Sequence, residues 1–242
     1  KADDAGLAAF TAFNKTFQLS KDSSGWQLET DLSYEFVEKN FQPLNPYRSA
    51  EFTRDWNLSA ATSGINTESF QEQIARGGFN LVKSRLGRLE YNLSSFTRGS
   101  VYEGLMHQGR FQLQRSGWEI DAVGNWLSIR GENESSNFSR PKASVSKTFR
   151  KLNDWKVGVY GEREKNDRFQ IGSDTLSANS FYYDLFRIFL ESPVNDTFNL
   201  GAQYTRRFDY APVGREFQEN TIATEMNVNG NWRLKRTLRL GG

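Results

Sequence analysis

Between residues 198 and 210 the even positions read Phe198, Leu200, Ala202, Tyr204, Arg206, Phe208 and Tyr210. The odd positions read Asn199, Gly201, Gln203, Thr205, Arg207 and Asp209. After a predicted loop at 211–219 the pattern restarts. Ile222, Thr224, Met226, Val228, Gly230, Trp232 and Leu234 alternate with Thr221, Ala223, Glu225, Asn227, Asn229, Asn231, Arg233 and Lys235. A period of two sends successive side chains to opposite faces of a sheet. The stretch therefore predicts two antiparallel strands, each with one apolar and one polar face. They outrun the roughly 3–10 residues usual in globular proteins. They are long enough to cross a bilayer, which takes about 9–11 tilted residues.

Composition narrows the class. With 37% hydrophobic residues over 242 positions, a soluble fold would have a lean core. A membrane barrel tolerates that polarity, because its interior is polar and only alternate residues need be apolar. Aromatics make up 14% of the chain, which suits strands and membrane interfaces alike. No apolar run is long enough for a transmembrane helix. A net charge of +2, with basic residues scattered, gives no footprint for nucleic acid. The absence of cysteine excludes disulfides and thiolate metal sites. Lys1-Ala2-Asp3-Asp4 has no signal-peptide character, so an exported protein would have its signal removed or lying outside this sequence.

Strand and turn signals predict about twelve strands: 7–19, 26–37, 50–58, 70–82, 89–96, 106–114, 118–130, 143–150, 155–162, 180–191, 197–210 and a last one ending at 236. From residue 83 on, short turns near 84–87, 115–117, 151–154 and 192–196 alternate with predicted longer loops at 97–104, 131–141, 163–179 and 211–219. Such alternation matches the short periplasmic turns and longer outer loops of outer-membrane barrels. Trp26, Trp118, Trp155 and Phe198 follow short turns, while Trp56 and Trp232 fall late in strands predicted to return to that end. These six aromatics are expected to form a membrane-interface rim, with Trp126 the exception. A soluble β-sandwich also alternates and also buries tryptophan. Strand length, loop alternation and the single rim favour the membrane barrel. No fixed-period repeat suggests a propeller or solenoid.

Catalytic chemistry is sparse. His107 is the single histidine, and no Gly-x-Ser-x-Gly elbow accompanies it. It is expected to be a loop-edge or lumen residue. One histidine without cysteine does not make a zinc site. Glu29, Asp31 and Glu35 share one strand face, as do Glu119 and Asp121. They could attract cations or act as a glycosidase pair. A wet face balanced by Lys156, Arg207, Arg233 and Lys235 is favoured over both. The expected lumen lining is Glu29, Asp31, Glu119, Asp121 and Lys156, with Arg207, Glu225, Arg233 and Lys235. No enzyme activity, cofactor or metal is expected.

Segments such as Glu51-Phe52-Thr53-Arg54-Asp55-Trp56-Asn57-Leu58, together with the long final strand, resemble the large outer-membrane β-barrels of the Bacteroidetes group of Gram-negative bacteria. The resemblance is one of pattern and covers most of the chain. It implies an all-β, antiparallel up-and-down transmembrane barrel in the cell outer membrane, with residues 1–242 as one barrel domain or a section of a larger barrel. The implied role is a pore, transporter or translocation conduit. Membrane lipid and lipopolysaccharide are the implied partners, with other outer-membrane or periplasmic subunits besides. Complete barrels of this kind typically close on an aromatic residue, whereas this chain reads Leu238-Arg239-Leu240-Gly241-Gly242, which favours a section. The alternatives are a non-transport barrel whose outer loops bind a partner or ligand, and a soluble secreted β-sandwich that binds carbohydrate.

Overall fold

A computed structural model describes residues 6–21, 25–41, 49–58, 70–193 and 198–232, without the side chains of residues 50, 51 and 232. The strands are β1 (Ala8–Gln18), β2 (Trp26–Val37), β3 (Glu72–Lys83), β4 (Gly87–Arg98), β5 (Tyr102–Arg115), β6 (Trp118–Gly131), β7 (Glu134–Ser139), β8 (Lys142–Phe149), β9 (Trp155–Gln170), β10 (Phe181–Glu191), β11 (Phe198–Val213) and β12 (Glu216–Trp232). One helix, α1 (Ala50–Asp55), lies between β2 and β3.

All twelve strands belong to one sheet, in chain order from β1 to β12. Every pairing is antiparallel. The fold is thus an all-β, up-and-down sheet, and two packed sheets of a sandwich are not seen among the described residues. β7 and β8 share one position: both pair with β6 on one side and β9 on the other. Proline, which has no N–H, marks the break between them. The ladder survives there, because Arg140 N–H donates to Asn125 O at 2.8 Å and Pro141 O accepts from Arg163 N–H at 3.0 Å.

Tight turns set the register. Ser116 and Gly117 have φ of 52° and 80°, the positive pair that a two-residue turn of type I′ requires. A Cβ on Gly117 would stand 2.7 Å from Thr148 O, so this corner admits glycine for a second reason.

The core lies on one face of the sheet, beneath α1. Ser49 caps the helix by accepting from Phe52 N–H at 3.1 Å. Phe52 and Trp56, four residues apart, lie on one side of that turn. Both meet Phe96 of β4, with ring centroids 5.2 and 5.3 Å away. Trp56 is 2% exposed and Phe96 0%. Ile74, Tyr102, Met106, Leu127 and Phe138 complete the cluster from β3, β5, β6 and β7. The next residue, Asn57, reaches Asn166 of β9 at 3.3 Å. On a flat sheet β4 and β9 would stand about 19 Å apart, four steps of ~4.8 Å. Two adjacent residues touch both, so the sheet curls round them, with this face concave.

Several expectations are corrected. Residues 50–58, predicted as a strand, form α1 and a following turn. The alternating Phe52, Arg54 and Trp56 satisfied the strand test, but Ser49 supplies a helix cap and the Phe52–Trp56 spacing serves a helix equally. Residues 134–139, predicted as loop, are β7. The total of twelve strands therefore agrees only because these two errors cancel. The predicted loops at 97–104 and 211–219 are largely strand, and so is the first half of 163–179: β5 starts at Tyr102, β9 runs to Gln170, and β11 and β12 meet across Gly214 and Arg215. The end of β9 from Arg163 to Arg168 is polar on both faces, so a search for alternating apolar residues passes over it.

Candidate functional site

Register fixes which side chains share the concave face. Glu35 lies opposite Ile74, which lies opposite Phe96. Following such pairs from strand to strand puts one parity of each strand inward. Inward residues of β2 are Glu29, Asp31, Ser33 and Glu35, facing Asn80 and Arg76 of β3. The parity continues through Glu119 and Asp121 of β6, Lys156 of β9, Arg207 of β11 and Glu225 of β12. Seven of the expected lining residues thus lie on one continuous face, the same face that carries α1. Arg233 and Lys235 fall outside the described residues.

These charges are mostly paired. Lys156 Nζ donates to Glu119 at 2.6 Å. Arg110 and Gln112 both donate to Asp121, at 3.1 and 2.5 Å. Asn80 and Gln27 donate to Glu29, at 2.7 and 3.0 Å. Across β9–β11 a denser array forms. Tyr160 and Tyr183 donate to Glu162, at 2.5 and 2.9 Å. Glu164 accepts from Tyr183 at 3.0 Å and from Arg140 at 2.7 Å. The Arg207 guanidinium binds Asp209 and lies 4.1 Å from the Tyr183 ring centroid. Carboxylate, phenol and guanidinium alternate here, so the face is charged locally and balanced overall.

At the opposite end from the short turns, α1 covers the same face. Tyr102 Oη donates to Trp56 O at 2.6 Å. Asn57 adopts positive φ and turns the chain back. Its amide donates to Ser136 Oγ and Asn166 Oδ1, each at 3.3 Å, and it accepts from Arg168 at 2.5 Å. Arg168 is held in turn by Glu134 at 3.3 Å. A Cβ on Gly104 would stand 2.8 Å from Tyr102 Oη and 3.0 Å from the Trp56 ring, so glycine lets the indole lie on β5. Beside α1 remains a cavity of about 220 Å³, lined by Asp31, Asp55, Arg76, Asn92, Ser94 and Gln108 and by the apolar Phe52, Trp56 and Met106.

Sequence reasoning missed this plug. Its signal was a local loss of alternation. Inward positions are polar along most of each strand, yet Ile74, Phe96, Met106, Leu127 and Phe138 are apolar. Such an apolar patch on a polar face calls for an apolar cover.

The convex face is the inverse. Leu32, Leu93, Leu105, Phe111, Val157, Val159, Phe186, Ile188, Ile222, Met226 and Val228 project from it and are exposed. On it lies an open apolar groove of about 960 Å³ over Gly109, Ala122, Gly124, Ala143 and Gly161. Along β9 the outward residues run Trp155, Val157, Val159, Gly161, and only then Arg163, Lys165 and Asp167.

Of the expected rim, Trp26, Trp118, Trp155 and Phe198 lie at the short-turn end. Lys83 Nζ sits 5.5 Å from the Trp26 ring and Lys147 Nζ 5.1 Å from Trp118. Trp155 and Phe198 are neighbours, with centroids 6.3 Å apart. Trp232 pairs with Phe198 through the backbone, which brings its Cα to that end. Trp56 is a correction: it is the buried centre of the plug, at the other end and on the inner face, because its segment is helical. His107 is a second correction. It lies mid-strand on the convex face, opposite Leu93 and Trp126, with Nδ1 2.8 Å from Tyr91 Oη. A strand start had been expected at residue 106, but β5 begins at Tyr102. Among the described residues no group of three metal-ligating side chains comes together. No family model matches the chain, and no curated protein or solved structure matches it either.

Proposed function

We propose that this chain forms the wall of an outer-membrane β-barrel whose polar interior is a conduit held shut by α1. One observation carries the reading: the sheet is inside out for a soluble protein. Its concave face is polar and ion-paired, and its convex face is apolar and bare. Lipid is the medium that stabilises that arrangement, since a strand alternating apolar-out and polar-in solvates both faces. Charged residues are costly at the bilayer centre. On the convex face of β9 they begin only beyond the apolar run. The tryptophans and paired lysines at the short-turn end suit an interfacial belt. Lipid, including lipopolysaccharide, is the partner of the convex face in this reading, and further outer-membrane or periplasmic subunits would meet its rims.

The interior carries both signs in near balance. Ion selectivity follows a ring of one sign, so an opened conduit should be weakly selective. Planar-bilayer recording on the protein from outer-membrane fractions tests this. The expected result is near silence, with weakly selective current once Trp56→Ala frees the plug. Strong selectivity for one sign would contradict the mixed lining. Silence with α1 freed would favour a non-transport barrel whose outer loops bind a partner or ligand.

A further inference from the structure

The membrane reading leaves the two edges of the sheet to be explained. β1 and β12 end the strand order and do not pair with each other among the described residues. Bilayer hydrocarbon satisfies no backbone N–H or C=O, so open edges do not occur there. Direct closure of β1 on β12 is the first solution to test, and strand direction argues against it. The twelve strands occupy eleven positions, because β7 and β8 share one. All neighbours are antiparallel, so the first and eleventh positions run the same way. Pairing them directly would put one parallel seam in an antiparallel wall. A second copy does not remedy this. Held in the same membrane orientation, it presents its β1 to β12, again parallel. An antiparallel seam between like edges would need one copy inverted, with its plugged end on the other side of the membrane.

We infer that the wall is completed by an odd number of further strands, those at the seams antiparallel to β1 and β12, supplied by the same polypeptide outside residues 1–242. This rests on the membrane reading above. Strand parity carries the number. The meander carries the source: each position in the sheet is filled by the next stretch of chain, so a continuing chain lays an antiparallel strand on an edge by a simple turn. A tethered strand also avoids the translational cost of recruiting a separate one. The edges define its pattern. Outward from β12 and β1 stand Met226, 76% exposed, and Phe13, 58% exposed, each without a strand on one side among the described residues. Inward stand Asn227 and Asn14. The closing strands therefore alternate apolar outward with polar inward.

Residues 1–242 contain no cysteine, so introduced thiols are the only ones in this stretch, and any cysteine outside it is replaced by serine. In the full-length protein in outer membranes, the control pair Gln203→Cys and Asn227→Cys, direct partners in the β11–β12 register, is expected to form a disulfide. Asn14→Cys combined with cysteine at 223, 225, 227 or 229 is expected to form none. A photoreactive benzoylphenylalanine at Met226 or Phe13 is expected to attach to a peptide of the same polypeptide outside 1–242, with no larger species on a gel. A disulfide across β1 and β12, attachment to a second copy or another protein, or attachment to lipid alone would each overturn the inference. Release of the protein from membranes without detergent would instead sink the membrane reading, and the crosslinked peptide would still report on closure.

Discussion

Two neighbouring parts of the concave face solve the same problem by opposite means. At the end away from the short turns, β3–β7 place Ile74, Phe96, Met106, Leu127 and Phe138 inward, and a six-residue helix covers them. Across β9–β11 inward carboxylates, phenols and guanidinium groups satisfy one another without a cover, around Leu185 and Phe189. One sheet thus presents a dry patch and a wet patch on a single face. Apolar inward residues attract a plug because burial removes them from water. Balanced charges remain stable in water at little cost, but each pair contributes little to stability. The plugged end should therefore hold most of the inner-face stability, and the ion-lined part most of the hydration.

Mutations can break or sharpen that contrast. Trp56→Ala removes the buried centre of the plug and should cost about 3–5 kcal/mol. Hydrogen exchange should then show lost protection in residues 52–58, with the strands still protected; retained protection would mean that the polar latch alone holds α1. Next in size is Met226→Arg, in the middle of the apolar run of β12, which should cost about 2–4 kcal/mol by folding titration into lipid vesicles, while Asn227→Arg one residue away should cost less than about 1 kcal/mol. Equal costs would erase the difference between faces on which the comparison stands. Asn166→Ala removes a side chain 1% exposed that ties β9 to Asn57, and should weaken plug docking by about 1–3 kcal/mol in the same exchange measurement. The smallest effect is expected in the ion-lined part. Lys156→Ala opens a half-exposed pair with Glu119 and should change stability by about 0–1 kcal/mol.

The faces were legible in the sequence because a period of two leaves little freedom. Residues 26–37 and 198–210 declared both their strands and their inward side, and Glu29, Asp31, Glu119, Asp121, Lys156, Arg207 and Glu225 followed by parity. The plug was not legible as one, because Ala50, Phe52, Trp56 and Leu58 alternate with Glu51, Thr53, Asp55 and Asn57, with Arg54 the one break. What selects the helix is the Ser49 cap and a docking patch assembled from five strands distant in sequence. The loops were overdrawn for a related reason. Segments such as Glu134-Ser135-Ser136-Asn137 carry no apolar face, yet they pair because neighbouring strands on both sides offer a ladder. Alternation of apolar residues finds strands that separate two media; it is silent on strands with water on both sides.

The central claim is that the convex face lies in lipid while the concave face is wet. Spin labels on single cysteines placed in turn at 224 to 229 of β12, in reconstituted bilayers, test it most directly. The account expects accessibility to oxygen, which partitions into lipid, to peak at 224, 226 and 228. Accessibility to a water-soluble nickel chelate should peak at 225, 227 and 229. A flat profile, or one with the two reagents exchanged, would contradict it.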